Sequence, residues 1–394
     1  MRKHPLTHVE GVSNIELFYD LIFVYCISVL TSLCHHVEGG FLDLGTWLIF
    51  LFSYLAVLQV WFFTTLLMNR FGEQSASDNL CLFVNMFLLY FMASGIQSDW
   101  ASSARVFNLS WALILANQAL HWELKRQTIS NLDASDLRMI DHTVITLVAQ
   151  ALIALAASFL PFRLSVSASW VALLLGCTVW GWSSAYKAKS SRFAHIAERC
   201  SLLTIVAFGE MVVTLSTYIG NTSSLVYPIF VFALMVGLFL IYIFEHDNML
   251  DHHHPTHGMA YMTISAWLII CLGNLTVALE YMTIREVDTM PKSIFLNGCL
   301  VAYLLSSFAI ARYNKPEFSV SPAYAAGRLV ACAAMVAAAW GSGFNPLVML
   351  LTDTTAVYGA LWHEWHIYHA RIGLRPFSGS FAIASDEEQD IHRA

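Results

Sequence analysis

The sequence predicts an all-α protein, a polytopic bundle of about twelve transmembrane helices. Of the 394 residues, 57% are hydrophobic, and the mean hydropathy is +0.61. Only 12% are charged, about half the share of roughly 25% found in soluble domains. So few charges cannot keep the whole surface in water, and most of that surface is therefore expected to face the lipid bilayer.

Apolar segments long enough for a membrane crossing recur along the whole chain. A transmembrane helix needs about 20 mostly apolar residues. The segments that meet this requirement lie near 16–37, 45–68, 79–98, 103–122, 140–161, 166–187, 200–219, 225–246, 259–283, 293–313, 324–342 and 345–368. The links between them are short, so no soluble domain is expected. The acidic tail 378–394 is predicted to be solvated and disordered.

Basic residues are distributed unevenly between the two ends of the predicted helices. With the N-terminus in the cytoplasm, 16 of the 20 Lys and Arg residues fall on the cytoplasmic side. Arg105, Arg163, Arg285 and Lys292 fall on the other side. Cytoplasmic loops of membrane proteins are enriched in Lys and Arg. We therefore predict a chain of the inner (plasma) membrane with both termini in the cytoplasm.

Two carboxylates occur in the opening turns of the first predicted helix. Glu16 and Asp20 are four residues apart and share a helix face. Such like charges persist when one acid is protonated, when a cation bridges them, or when a base from another helix pairs with them. Capping of the helix is the alternative role for Glu16. Asp20 lies one turn deeper among apolar residues, which favours a functional or buried structural role.

The seventh predicted helix carries a second set of charges, Glu198, Arg199 and Glu210. Glu210 is eleven residues past Arg199, which places it about 16 Å further along the helix axis. An acid at such depth costs about 2.5–3.5 kcal/mol on insertion scales and usually marks a pathway or a buried pair. A purely structural hydrogen bond between helices is the alternative for Glu210.

These two segments together resemble the motifs of a known family. The segment Glu16–Val24, with the sequence ELFYDLIFV, is similar to the opening helix of the bacterial low-temperature-requirement A (LtrA) family. Glu198-Arg199, followed by Gly209-Glu210, resembles that family's second signature with matching spacing. The histidine-rich segment 245–257 departs from the family pattern. The resemblance implies a polytopic membrane protein, and no catalysed reaction is attached to the family.

The two motifs open helices 1 and 7, which suggests a six-plus-six arrangement. We predict an N-terminal half 1–190, a C-terminal half 191–377 and the tail 378–394. The two halves would then have the same orientation, as in a parallel repeat. The first motif also resembles, less closely, the opening helix of TMEM-type potassium/proton channels, which are built from six-helix repeats. That family's motif has an arginine where this chain has Asn14.

Other polar residues in the spans are candidates to line a path through the bundle. Asn274 is central in helix 9, and Glu280 lies nearer the outer end of the same helix. Glu245 closes helix 8 at a depth similar to that of Glu16 and Asp20. The predicted pathway residues are Glu16, Asp20, Arg199, Glu210 and Asn274, with Glu198, Glu245 and Glu280 in supporting roles. Each polar residue taken singly could instead form a hydrogen bond between helices.

Histidines occur in two tracts. His252, His254 and His257 lie beside acidic residues, and imidazole with carboxylate suits zinc, nickel or copper. They are weak metal-site candidates, because the spacing fixes no geometry. In the last helix, His363, His366 and His369 alternate with Trp362, Trp365 and Tyr368, a pattern typical of a belt at the membrane interface.

Transport is the function that the sequence favours. We expect a channel or secondary transporter for protons, monovalent cations or a small solute. The alternatives are an intramembrane enzyme or cofactor-binding protein acting on lipid, and a membrane sensor that transports nothing. No phosphate-binding loop, GxSxG or HExxH motif occurs, so no catalytic residue and no cofactor are predicted. The expected partners are the lipid bilayer and the transported species, with a second copy of the chain as a candidate; no basic nucleic-acid surface is expected.

Overall fold

The structure is a computed structural model that describes residues 12–35, 37, 40–182, 191–219, 225–284 and 286–372. The predicted tail 378–394 lies outside the described residues. The described residues form twelve α-helices. These are α1 Asn14–Leu33, α2 Leu44–Phe71, α3 Ala76–Ser94, α4 Trp100–Thr128, α5 Ala134–Ala157, α6 Phe162–Trp182, α7 Phe193–Ile219, α8 Val226–Phe244, α9 Met259–Thr283, α10 Thr289–Ile310, α11 Pro322–Gly341 and α12 Pro346–Ile372.

Each predicted span coincides with one of these helices, so the prediction of an all-α, twelve-helix chain is confirmed. The boundaries differ most at the starts of α5 and α7, which begin at Ala134 and Phe193 rather than near 140 and 200, and at the end of α4, which reaches Thr128 rather than about 122. The extra turns are polar. At the start of α5, Asp133 and Asp136 form a capping box. Such caps extend a helix beyond its apolar segment, and a hydropathy scan does not detect them.

Many of the helices are suited to a bilayer. Eight of those described are long and apolar enough to cross a membrane, with lengths of 19 to 28 residues: α1, α2, α3, α5, α8 with the turn that follows it, α9, α10 and α11. Crossings by α4, α6, α7 and α12 stay predictions. Large apolar side chains such as Ile145, Val330 and Trp340 are exposed on helix surfaces, where lipid would cover them.

The chain divides into two compact units. The first contains α1 to α7 and α9, within Met1–Asn221 and His252–Lys292. Its most enclosed helices are α2 and α9, each with 78% of its most apolar stretch buried. Helix α1 packs against α2, α3, α7 and α9, so the face that carries its carboxylates lies inside the unit. The predicted six-plus-six repeat stays a prediction.

The second unit comprises Thr222–Asp251 and Ser293–Ala394, and it holds α8, most of α10, α11 and α12. Helix α12 packs against both α8 and α11. Helix α8 continues into a π-helical turn, Glu245–Met249. Leu250 then forms an isolated β-bridge with Asn314. The end of α8 is therefore an irregular but hydrogen-bonded segment.

Candidate functional site

Helices α1 and α7 bring two carboxylates and a guanidinium together inside the first unit. Arg199 Nη1 donates to Glu16 Oε1 over 2.9 Å, and Nη2 donates to Asp20 Oδ1 over 2.7 Å. His195 Nε2 lies 3.3 Å from Glu16 Oε1. Arg199 is 0% exposed, and the other three side chains are buried as well. We refer to Glu16, Asp20, His195 and Arg199 as the first acidic cluster.

Helix geometry and a cap position these side chains. Glu16 and Asp20 are one turn apart on α1, as are His195 and Arg199 on α7, so each pair projects from one helix face. The backbone N–H and hydroxyl of Ser13, the N-cap of α1, donate to Glu16 Oε2 over 3.1 and 2.9 Å. Glu16 therefore caps α1 with one oxygen and binds Arg199 with the other.

Asp20 differs from Glu16, because only one of its oxygens is bonded. Oδ1 accepts from Arg199 and, over 2.9 Å, from Trp61 Nε1. Oδ2 is buried and has no hydrogen-bond partner in the described part of the chain, and the same holds for Arg199 Nε. Buried polar atoms are normally satisfied. The unpaired Asp20 oxygen is therefore a position where a proton, a water molecule or a cation would be stabilised.

The first acidic cluster carries an excess of negative charge when both acids are ionised. Glu16 and Asp20 contribute two negative charges, and Arg199 contributes one positive charge. An uncompensated charge in the membrane interior is costly. The balance can come from Arg192, whose charge interacts with that of Glu16, from a proton on His195, from a proton on one of the acids, or from a bound cation.

A hydrogen-bonded route joins the first acidic cluster to the surface. Asn69 Nδ2 lies 3.3 Å from His195 Nδ1 and donates to the carbonyl oxygen of Arg192 over 2.9 Å. Asn69 is buried, whereas Arg192 is exposed at the start of α7. His195 therefore stands between the buried carboxylates and the protein surface.

Glu210 occupies a separate position further along α7. Its Oε1 accepts from the hydroxyls of Thr31 and Thr214 over 2.9 and 2.6 Å, and its buried Oε2 has no partner among the described residues. Because Thr31 is on α1, helices α1 and α7 contact each other at both the first acidic cluster and Glu210, and they run parallel. The spacing of eleven residues from Arg199 corresponds to about 16 Å.

Glu280 and His35 lie close to Glu210. His35 Nε2 is 3.1 Å from Glu280 Oε2, and both residues interact electrostatically with Glu210. The Glu280 side chain is 1% exposed, but that of His35 is 32% exposed. We refer to Glu210, Thr31, Thr214, Glu280 and His35 as the Glu210 site. It connects a buried acid with the protein surface.

Mostly apolar side chains occupy the stretch of α1 and α7 between these two sites, and the buried Thr204 hydroxyl there donates to the carbonyl oxygen of Cys200. Phe23 and Ile27 on α1 and Leu203 on α7 lie between them along the helices, and all three are fully buried. The acids that the sequence predicts as one pathway are thus grouped at two levels with an apolar segment between them.

The other predicted site residues have different partners. Asn274 Oδ1 accepts from Trp47 Nε1 over 3.2 Å, a bond between α2 and α9. Glu198 is half-buried, and its Oε2 accepts from the backbone N–H of Val12 over 3.3 Å. Glu245 belongs to the second unit. The structure therefore brings Glu16, Asp20 and Arg199 together and places Asn274, Glu198 and Glu245 in other contacts.

The histidine-rich link is held close to the start of α7. Ser191 donates to the carbonyl oxygen of Thr256 through its backbone N–H and its hydroxyl, over 3.1 and 3.0 Å. Within the described ranges, no three His, Cys, Asp or Glu side chains are grouped so that they could hold a metal ion. Metal binding by His252, His254 and His257 stays a prediction.

Some residues at these sites carry no clear sequence signal. Trp61 and Thr31 are ordinary residues of apolar helices, and only the tertiary contacts bring them to Asp20 and Glu210. Arg328, in the second unit, could have been identified, because it lies inside the predicted span 324–342. A base within an apolar span indicates a buried partner.

Asp353, on α12, is a buried acid without any bond: neither carboxylate oxygen has a partner in the described part of the chain. We expect Asp353→Leu to stabilise the protein by about 1 kcal/mol or more, because a buried unpaired polar group is removed. Thermal unfolding in detergent measures the change. Thr355→Leu, on the exposed side of α12, is the matched control and should stay within about 0.5 kcal/mol. A destabilised Asp353→Leu variant would contradict the expectation.

Comparison with known proteins agrees with the motifs and the helices. A family model described as bacterial low temperature requirement A protein (LtrA) matches residues 11–358, which include α1 to α11 and both motif segments. No curated protein and no solved structure matches the chain. The family match and the apolar helices together identify a multi-pass membrane protein. The chain belongs to the bacterial low temperature requirement A (LtrA) family.

Proposed function

We propose that the protein moves protons or another monovalent cation across the membrane through the first unit. The observation that carries this proposal is the first acidic cluster, where two buried carboxylates face one guanidinium and Asp20 keeps an unpaired oxygen. Ionisable residues inside membrane helices usually line ion pathways or proton relays. A transported cation would supply the missing positive charge.

The residues of the two sites have distinct roles in this proposal. Asp20 binds the cation at its free oxygen, and Arg199 limits how strongly it is held by neutralising part of the charge. His195 exchanges protons or cations with the surface beside Arg192. Glu210 is the second binding position, and Glu280 with His35 connects it to the opposite surface.

The apolar stretch between the sites favours a gated carrier over an open pore. Phe23, Ile27 and Leu203 offer a hydrated cation no polar contacts. A cation would therefore pass from Asp20 to Glu210 only when α1 and α7 move relative to their neighbours. Such a conformational step is the general mechanism of secondary transporters.

The second candidate function of the first acidic cluster is purely structural, to hold α1 and α7 together. Glu16 is fully bonded, by Ser13 at one oxygen and by Arg199 at the other. Ion pairs of this kind can hold two helices together without any flux, as a sensor or scaffold would need. The two functions differ in one measurable property, the movement of cations.

Flux measurements in liposomes test the proposal. The full chain is reconstituted, and proton, Na⁺ and K⁺ fluxes are followed with ion-sensitive dyes. We expect flux of one of these ions in the wild type, and flux at the level of protein-free liposomes in Asp20→Asn and Glu210→Gln. Asp141→Asn, which changes a half-exposed carboxylate on α5, is the matched control and should conduct normally. Absence of flux in the wild type, or normal flux in both test variants, would refute the proposal and favour the structural role of the first acidic cluster.

We also propose the inner membrane as the location, with both termini in the cytoplasm. The distribution of 16 basic residues against four supports this orientation. In this orientation, the first acidic cluster lies near the cytoplasmic surface and the Glu210 site lies towards the outside of the cell. A reporter domain that is active only in the cytoplasm should be active when it is fused to the C-terminus. Activity of a reporter that functions only outside the cell would show that the orientation is the reverse.

A further inference from the structure

A second group of buried charged side chains lies in the second unit, on the π-helical turn after α8 and on α11 and α12. Arg328 Nη2 donates to Glu245 Oε1 and, over 2.8 Å, to Glu364 Oε2. All three side chains are buried. Tyr324 and Ser307 complete the group, and we refer to these five residues as the second acidic cluster.

The hydrogen bonds distinguish the two acids. Glu245 Oε1 also accepts from the Tyr324 hydroxyl over 2.8 Å, and Oε2 accepts from the Ser307 hydroxyl. Glu245 therefore accepts hydrogen bonds from three donors, and both of its oxygens are bonded. Glu364 accepts one bond, from Arg328, and its buried Oε1 has no partner among the described residues. Glu364 is thus the acid with the fewer donors, and its unpaired oxygen offers a position for a proton.

The two carboxyl groups also lie beside each other. Glu245 Oε1 and Glu364 Oε2 bind the same nitrogen, Nη2, of Arg328. Two adjacent carboxylates cannot both ionise without strong repulsion, and such pairs share a proton. Tyr324 within the cluster and Cys332 beside it, both on α11, carry no positive charge. One guanidinium balances one carboxylate, and a proton is needed for the other.

The backbone is irregular at the same position. Glu245 is the first residue of the π-helical turn Glu245–Met249. Short π-helical turns next to α-helices occur frequently at functional sites. The turn joins α8 to the segment that bridges Asn314, so a change in the bonds of Glu245 would act on the end of α8.

We propose that Glu364 holds an exchangeable proton that it shares with Glu245, which makes the second acidic cluster a proton-binding site. Loss of this proton would leave two carboxylates against Arg328 in a low-dielectric interior. Their repulsion would then loosen the contact between α12 and the end of α8. This inference concerns equilibrium proton binding in the second unit, so it does not depend on the proposed cation flux.

Infrared spectroscopy of the purified full chain tests this inference. A protonated carboxyl group has a carbonyl stretch that a carboxylate lacks, and the band shifts on exchange into D₂O. We expect Glu364→Gln to remove one such band. We expect Glu245→Gln to remove the same band, because Glu364 would then ionise beside Arg328. Both changes are isosteric and keep hydrogen-bonding capacity, and gel filtration checks that each variant is folded.

Two controls make the outcome decisive. Asp353→Asn should remove a different band or none, and it should leave the Glu364 band in place. Adding Na⁺ should not change the thermal stability of the wild type through this site. A spectrum that Glu364→Gln and Glu245→Gln both leave unchanged would overturn the inference. So would stabilisation by Na⁺ that Glu364→Gln abolishes, because the bound species would then be a metal cation.

Discussion

Replacing Arg199 by leucine is expected to destabilise the folded protein by about 3–5 kcal/mol. Arg199 is 0% exposed and bonds both Glu16 and Asp20. Without the guanidinium, the two carboxylates are buried without their main counter-charge, which is the costly state for an ion in a membrane protein. Protonation of the acids relieves this cost, so the loss should be larger at neutral pH than at acidic pH. Chemical unfolding in detergent micelles at the two pH values measures it.

Charge-matched variants separate this effect from the loss of packing. Arg199→Leu combined with Glu16→Gln and Asp20→Asn removes both excess charges and should regain most of the lost stability. Arg138→Ala, at an exposed arginine of α5, should change stability by no more than about 0.5 kcal/mol. If Arg199→Leu has the same denaturant midpoint of unfolding as the wild type, then the ion pairs of Arg199 contribute no stability. The excess negative charge of the first acidic cluster is then smaller than its two acids and one guanidinium imply.

The helices could be predicted from the sequence because the bilayer restricts what the backbone can do. Every polar backbone group must be satisfied within the segment, so a crossing segment has to be a helix of a set length. The largest errors lie at the starts of α5 and α7 and at the end of α4. There, polar residues such as Asp133 and Asp136 extend the helix into a region that hydropathy assigns to a loop.

The acids could be identified from the sequence, but most of their partners could not. Spacing alone places Glu16 and Asp20 on one face and separates Glu210 from Arg199 by several turns. Spacing within a helix does not say which neighbouring helix supplies the partner. Trp61 is one of 12 tryptophans, and nothing in its neighbourhood distinguishes it from the others. The bond from Trp61 to Asp20 depends on how α1 and α2 pack.

Glu364 is a buried residue that the local sequence pattern does not predict to be buried. It lies among aromatic residues and histidines that predict an interfacial belt. Trp362 is indeed exposed, at 63%, but Glu364 is 1% exposed. Two residues along an α-helix correspond to a rotation of about 200°, so neighbours in the belt can face opposite sides. The position of Glu364 relative to Arg328 and Glu245 depends on how α11 and α12 pack against the π-helical turn after α8, which is distant from them in the sequence.

A second large loss of stability is expected for Asp78→Leu, at the start of α3. Lys125 Nζ and His121 Nε2 lie 2.7 and 2.9 Å from Oδ1 of the buried Asp78. Oδ2 accepts from the backbone N–H groups of Glu73 and Ser75. The leucine leaves Lys125 buried without its counter-charge, at a cost of about 3–5 kcal/mol. It also removes the half of the capping box that Asp78 contributes, its bond from the backbone N–H of the N-cap Ser75, which adds to the loss. Chemical unfolding in detergent again provides the measurement.

Glu73 supplies the matched control, because it approaches the same lysine from the surface. Its side chain is 49% exposed and 3.9 Å from Lys125, so Glu73→Gln should cost less than about 1 kcal/mol. The double variant Asp78→Leu with Lys125→Met should regain most of the lost stability. Equal losses of stability for Asp78→Leu and Glu73→Gln would show that the buried pair is not structural.

Both oxygens of Asp78 are bonded, whereas Asp20 has one oxygen without a partner, so Asp78 offers no position for a transported ion. A folded Asp78→Asn variant should therefore conduct cations at the wild-type rate, whereas Asp20→Asn should not.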